Sequence, residues 1–139
     1  MDKIIFLPNE DKHVQEDNLE AIFRLITLVL AAYPDTKIYK TIDEKQENKE
    51  DITSTFSYEN LREDINKLDF DKQSVEYLMT MDTGKEKELP ILEVYFIDND
   101  GISIKWNHKK LTFLSKKFIK SLFKERKLFK INLPSYSKI

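Results

Sequence analysis

Three features of this 139-residue chain point to an α+β fold, a largely antiparallel sheet of five to seven strands with two to three helices packed on it. The first is a hairpin signal between Leu89 and His108. Leu92, Val94 and Phe96 alternate with Glu93, Tyr95 and Ile97, and Ile102, Ile104 and Trp106 answer beyond Asp98-Asn99-Asp100-Gly101, a connection whose residues tolerate positive φ. The second is a helical stripe in which Leu19, Ile22, Phe23, Ile26, Val29, Leu30 and Tyr33 recur at the spacing of one helix face. The third is the return of period-two alternation in several short runs separated by helical ones.

Taken in order, Lys3 to Leu7 is an apolar run stopped by Pro8-Asn9, which predicts a strand. Asp17 with Glu20 three residues on resembles a capping box and predicts the start of the first helix; Pro34-Asp35 ends it. Leu25, Leu28 and Ala32 add apolar residues to a second face, so the C-terminal half is expected to be covered on more than one side. Thr36 to Ile42 and Ile52 to Phe56 both alternate and predict two strands. Between them Asp43, Glu44, Glu47, Glu50 and Asp51 stand against Lys45 and Lys49, the composition of a mobile, unpacked acidic loop. Ser57 is positioned to cap a second helix with Tyr58, Leu61, Ile65 and Leu68 on its apolar face. Val75, Tyr77, Met79 and Met81 alternate as a further strand, and the turn Asp82-Thr83-Gly84-Lys85 leads into the hairpin, giving an antiparallel meander. Pro90 stands at the opening of the first hairpin arm, where no ladder donor is needed. Ser115 is positioned to cap a basic amphipathic helix with Phe118, Ile119, Leu122 and Phe123 on one side and Lys116, Lys117, Lys120 and Lys124 on the other. Leu128 to Leu133 reads as a last short strand before a tail that begins at Pro134.

With 40 % hydrophobic, 12 % aromatic and 35 % charged residues and only two glycines, residues 1–139 are expected to form one globular domain with a packed core. The lack of cysteine excludes disulfides, a thiol nucleophile and thiolate metal sites, and fits a reducing compartment. Met1 to Lys12 has no basic segment followed by an apolar one, and the longest apolar run, Leu25 to Tyr33, falls short of the roughly 20 residues of a membrane span. A cytoplasmic protein without membrane contact is the expectation.

The net charge of −2 conceals a strong polarity. Residues 1–100 hold 12 Lys and Arg against 24 Asp and Glu, a balance of −12, whereas residues 101–139 hold 11 against the single Glu125, a balance of +10. Either the halves attract each other within the fold or each faces a charged partner.

Catalytic motifs are scarce. His13 and His108 are the only histidines, neither in a recognised motif, so a small hydrolase built on one of them is the least supported reading. There is no G-x-S-x-G elbow and no P-loop, and two glycines cannot form a glycine-rich phosphate cradle. An EF-hand with Gly101 sixth requires an acid where Phe96 stands and a glutamate where Asn107 stands. Pro34-Asp35 followed by Asp43-Glu44-Lys45 has the letters of a metal-nuclease pattern, but carboxylates on a mobile loop are not held in fixed geometry around Mg²⁺. No metal or other cofactor is expected.

Two binding readings remain. In its general character, a small, cysteine-free, acidic chain rich in lysine and isoleucine without a catalytic motif, the sequence is similar to bacterial toxin-immunity proteins and phage-encoded inhibitors. The likeness is one of composition and fixes no residue. It implies a protein-binding inhibitor, or antitoxin, whose acidic residues Asp43, Glu44, Glu47, Glu50 and Asp51 occlude a basic site on a toxin or effector. The alternative is a nucleic-acid-associated accessory protein working through Lys116, Lys117, Lys120, Lys124, Arg126 and Lys127.

Overall fold

A computed structural model of the chain describes residues 1–6, 12–43, 47–69, 73–85, 87–97 and 101–123. Six strands and three helices follow in the order β1 (Asp2–Phe6), α1 (Lys12–Ala32), β2 (Lys37–Asp43), β3 (Glu47–Asp51), α2 (Tyr58–Lys67), β4 (Ser74–Met81), β5 (Leu89–Ile97), β6 (Gly101–Trp106) and α3 (Lys116–Leu122). The α+β fold is as the sequence implies. The strands form one antiparallel sheet in the order β1-β6-β5-β4-β2-β3. Only β4-β5-β6 is a true meander: β1 returns to pair with β6, and α1 carries the chain from that edge across to β2.

Alternation decides which side chains meet the helices. Ile4 and Phe6, Ile102, Ile104 and Trp106, Leu92, Val94 and Phe96, Val75, Tyr77 and Met79, and Ile38 are register partners on one face, and all are buried. Against them α1 sets Leu19, Ile22, Leu25, Ile26 and Val29, while α2 contributes Leu61 and α3 Ile119, all within one cluster. Phe123, following α3, lies with its ring centroid 4.3 Å from that of Phe6. The other face is the more polar one, with Glu93 opposite Lys105 and the Ser74 hydroxyl 2.9 Å from that of Tyr95, though it also carries buried Ile5 and Tyr39. A bulge in β5 adjusts the packing near Pro90: Leu92 faces Met79 and Pro90 faces Thr80, so Ile91 is the extra residue, and both Ile91 and Leu92 are fully buried.

Three local expectations are overturned. Helix α1 begins at Lys12, so Asp17 lies inside it instead of capping it. Leu28 and Ala32 are exposed, which leaves α1 covered on one side only. Residues 43–51 are not one loop between two strands: Asp43 ends β2, Glu47–Asp51 are the edge strand β3, and Ile52–Phe56 is not a strand. There Ile52 N–H donates to Ile38 O at 2.9 Å, after which Thr53 donates its N–H and hydroxyl to Asp51 Oδ1 and turns the chain. The expected strand Leu128–Leu133 and the C-terminal tail lie outside the described residues.

Trp106 has no exposed surface, so Trp106→Ala should cost about 3 to 5 kcal/mol, read by urea denaturation. Asn18 is 3 % exposed, and neither its Oδ1 nor its Nδ2 has a hydrogen-bond partner among the described residues. Asn18→Leu, with the same number and branching of side-chain heavy atoms, should therefore raise stability by about 1 kcal/mol. A lower urea midpoint for this variant would show that the amide is bonded through an ordered water.

Candidate functional site

The site is built outward from Lys40. It lies between Ile38 and Ile42 on β2, so the period of two turns it toward the covered face, with Tyr77 on β4 and Glu50 on β3 as its register partners. Its side chain retains 16 % of its surface. An ammonium so placed requires counter-charge. Asp64 Oδ2 stands 3.2 Å from Nζ and Glu50 Oε2 3.7 Å from it.

Helix α2 delivers Asp64. The Ser57 hydroxyl accepts from Asn60 N–H at 3.1 Å and fixes the helix start, Leu61 anchors the next turn in the core, and Asp64 follows three residues on. Asn60 Nδ2 donates to Thr55 O at 2.6 Å, tying the helix to the turn after β3. Tyr77 Oη donates to Asp64 Oδ2 at 3.2 Å. Burial, and then the negative charge of Asp64, push the Tyr77 hydroxyl well above its ordinary value, so it stays protonated and acts as a donor.

Between β3 and α2 these residues line a cleft of about 100 Å³, with Glu50, Phe56, Asn60, Glu63, Asp64 and Tyr77 around Lys40. It is small beside the roughly 300 to 1,000 Å³ of a typical small-molecule pocket and suits the end of one side chain. Three carboxylates face one lysine within its lining, so the arrangement favours a cation.

A second cluster lies beside it on the polar face. Tyr39 Oη donates to Glu88 Oε1, and Lys49 Nζ stands 3.5 Å from Glu88 Oε2 and 4.1 Å from the centroid of the Tyr39 ring. Glu88 has φ of 58°, a left-handed conformation held by these contacts. The Tyr39 hydrogen bond holds the Glu88 carboxyl below its ordinary range, and the same bond, with burial, raises Tyr39 to about 12.

Of the acidic residues singled out from sequence, Glu50 lines the cleft among those whose side chains are described. Asp51 turns instead to Thr53, whose hydroxyl and N–H hold its carboxyl below the ordinary range. Asp43 and Glu47 are backbone register partners in the β2–β3 ladder, and Glu44 lies outside the described residues. Lys116, Lys117 and Lys120 are on α3, whereas Lys124, Arg126 and Lys127 lie outside the described residues. His108 Nδ1 is 3.8 Å from Asp2 Oδ1 at the opposite end of the sheet order; of His13 only the backbone, in α1, is described. Among the described residues no three His, Cys, Asp or Glu side chains could together hold a metal ion, and no helix is long and apolar enough to cross a membrane. Lys40, Asn60, Glu63, Asp64 and Tyr77 escaped the sequence reading. One signal was available: a lysine in phase with Ile38 and Ile42 points inward and implies a carboxylate opposite. No protein-family model, curated protein or solved structure matches this chain.

The Tyr39–Glu88 bond predicts a two-sided pH dependence. A carboxyl lowered from 4.5 contributes stability that is lost as pH falls through its folded value, and a phenol raised from 10.0 to about 12 contributes stability that is lost as pH rises through about 12. The excess urea midpoint of the parent over Tyr39→Phe should therefore be flat from about pH 5 to about pH 10 and narrow on both sides. An excess that does not change with pH would show that the bond makes no such contribution.

Proposed function

We propose that this protein is a small cytoplasmic binding protein that occludes a basic site on a partner protein, a toxin or effector, in the manner of bacterial immunity proteins and phage-encoded inhibitors. The observation that supports this reading best is the charge of the β3–α2 cleft. A lysine or arginine side chain entering it meets Glu50, Glu63 and Asp64 against Lys40 in the lining, with Lys67 Nζ 3.9 Å from Glu63 Oε2 and with Phe56 and Tyr77 as aromatic walls. Exposed Glu59, in the first turn of α2, adds to the negative charge of the helix that lines the cleft. Charges along the β3 edge discourage strand addition, so recognition runs through side chains. The acidic interface of this reading is thus centred on Glu50 and α2 rather than on a 43–51 loop.

The test begins with capture of a basic partner from the source cell at low salt, followed by stopped-flow association of the two purified proteins. Reversing exposed Glu50, Glu59 and Glu63 to lysine should slow association at least about tenfold at low salt, with the difference shrinking as ionic strength rises to a screening length of about 8 Å. Where the partner is toxic, co-expression with the parent chain should restore growth and co-expression with the triple variant should not. An unchanged association rate for this variant, with binding destroyed by Lys116→Glu and Lys120→Glu, would place the interface on α3 and sink the proposal.

A further inference from the structure

The connection from β6 to α3 is a rigid corner that holds an aromatic ring out among lysines. Asn107 organises its first half: its Oδ1 accepts from Lys109 N–H at 3.0 Å, and its carbonyl accepts from Leu111 N–H at 2.8 Å. Tyr33 Oη, at the end of α1, donates to Lys110 O at 2.6 Å. Leu111 and Leu114 are buried, and Leu114 N–H donates to Leu111 O at 3.1 Å. Phe113, between these two anchors, is 43 % exposed, one of three large hydrophobic side chains exposed among the described residues.

The formal charge of its own segment is of one sign. Residues 107–123 contain Lys109, Lys110, Lys116, Lys117 and Lys120 and no Asp or Glu. No ion pair among the described residues involves any of these five lysines. Lysines thus precede and follow an exposed ring whose position is fixed by buried neighbours and backbone hydrogen bonds.

We propose that this corner binds single-stranded nucleic acid, with Phe113 stacking on a base and Lys109, Lys110, Lys116 and Lys117 following the phosphates. A single strand offers what the corner presents, phosphates alternating with flat apolar faces. Lysines acting as point charges suit phosphate without base reading, so recognition is tolerant of sequence. A purely acidic peptide would satisfy the lysines and leave the ring without a role. The surface shares no residue with the β3–α2 cleft and does not depend on the function proposed for it.

The experiment is fluorescence anisotropy of a labelled oligothymidylate of about twenty nucleotides with the full chain across a salt series, sodium polyglutamate as competitor and anionic phosphatidylserine vesicles in a parallel sedimentation assay. The parent should bind, with log affinity falling linearly with log salt. Phe113→Ala should weaken binding roughly five- to hundredfold without changing that slope, since stacking carries no counterion release. Lys109→Ala with Lys116→Ala should lessen the slope by about 1.4. Circular dichroism checks that these exposed substitutions leave the fold intact. Absence of binding by the parent, an unchanged affinity for Phe113→Ala, or binding to vesicles but not to the oligonucleotide would each overturn the assignment. Equal competition by polyglutamate would overturn it too, since it would show a surface that reads charge alone.

Discussion

The apolar stripe of α1 against the inner face of the sheet is the contact on which the other elements depend. Leu19, Ile22, Leu25, Ile26 and Val29 meet side chains from strands that are distant in sequence, and α1 itself runs from the edge strand β1 to β2. With β1 already paired to β6 and α1 spanning the width between, β2 arrives beside β4, and after a three-residue interval β3 pairs along the outer side of β2. Helices α2 and α3 then cover what α1 leaves, one toward each edge. Because all three pack on the same face, polar and charged residues are driven to the opposite face and to the two edges.

Lys40 is the exception to that sorting, and it creates the site. Burying an apolar residue at this position would be simpler; a lysine side chain 16 % exposed is tolerated because Asp64 and Glu50 reach its ammonium from two different elements. Tyr77 supplies a further donor to the same carboxylate. The network fixes α2 against β2 and β4, and its excess of negative charge faces outward. A device needed to satisfy one inward lysine therefore leaves an acidic cleft at the sheet edge.

Much of this could be read from the chain. The Ser57 and Ser115 caps accept from the N–H groups three residues on, as their positions suggest, and Gly101 has φ of 99° where the hairpin needs a residue without a Cβ. What escaped has physical causes. Lys12–Glu16 carries no apolar stripe, yet extending a helix already nucleated costs little, so α1 continues upstream past the local capping signal at Asp17. Glu47–Asp51 has almost no intrinsic strand preference; its conformation comes from pairing with β2, which no local pattern records. Ile52–Phe56 alternates, but Thr53 commits its side chain to Asp51 and to Ile38 N–H, and the chain turns. The cleft was hidden because its charges come from β2, β3 and α2, each unremarkable alone.

The opposite balances of the two parts of the sequence acquire a spatial meaning once the strand order is known. Strand β3, with the acidic cleft, is at one edge; β6, which leads into the lysine corner, is four strands away. At about 4.8 Å per strand this is roughly 20 Å, more than twice the screening length of about 8 Å at physiological ionic strength. Among the described residues, the acidic cleft and the lysine corner therefore do not neutralise each other. None of the ion pairs among the described residues joins the lysines of residues 107–123 to the carboxylates of β3 or α2. The described cleft and corner are thus separate surfaces, and at physiological salt a charge placed at one leaves the field at the other nearly unchanged.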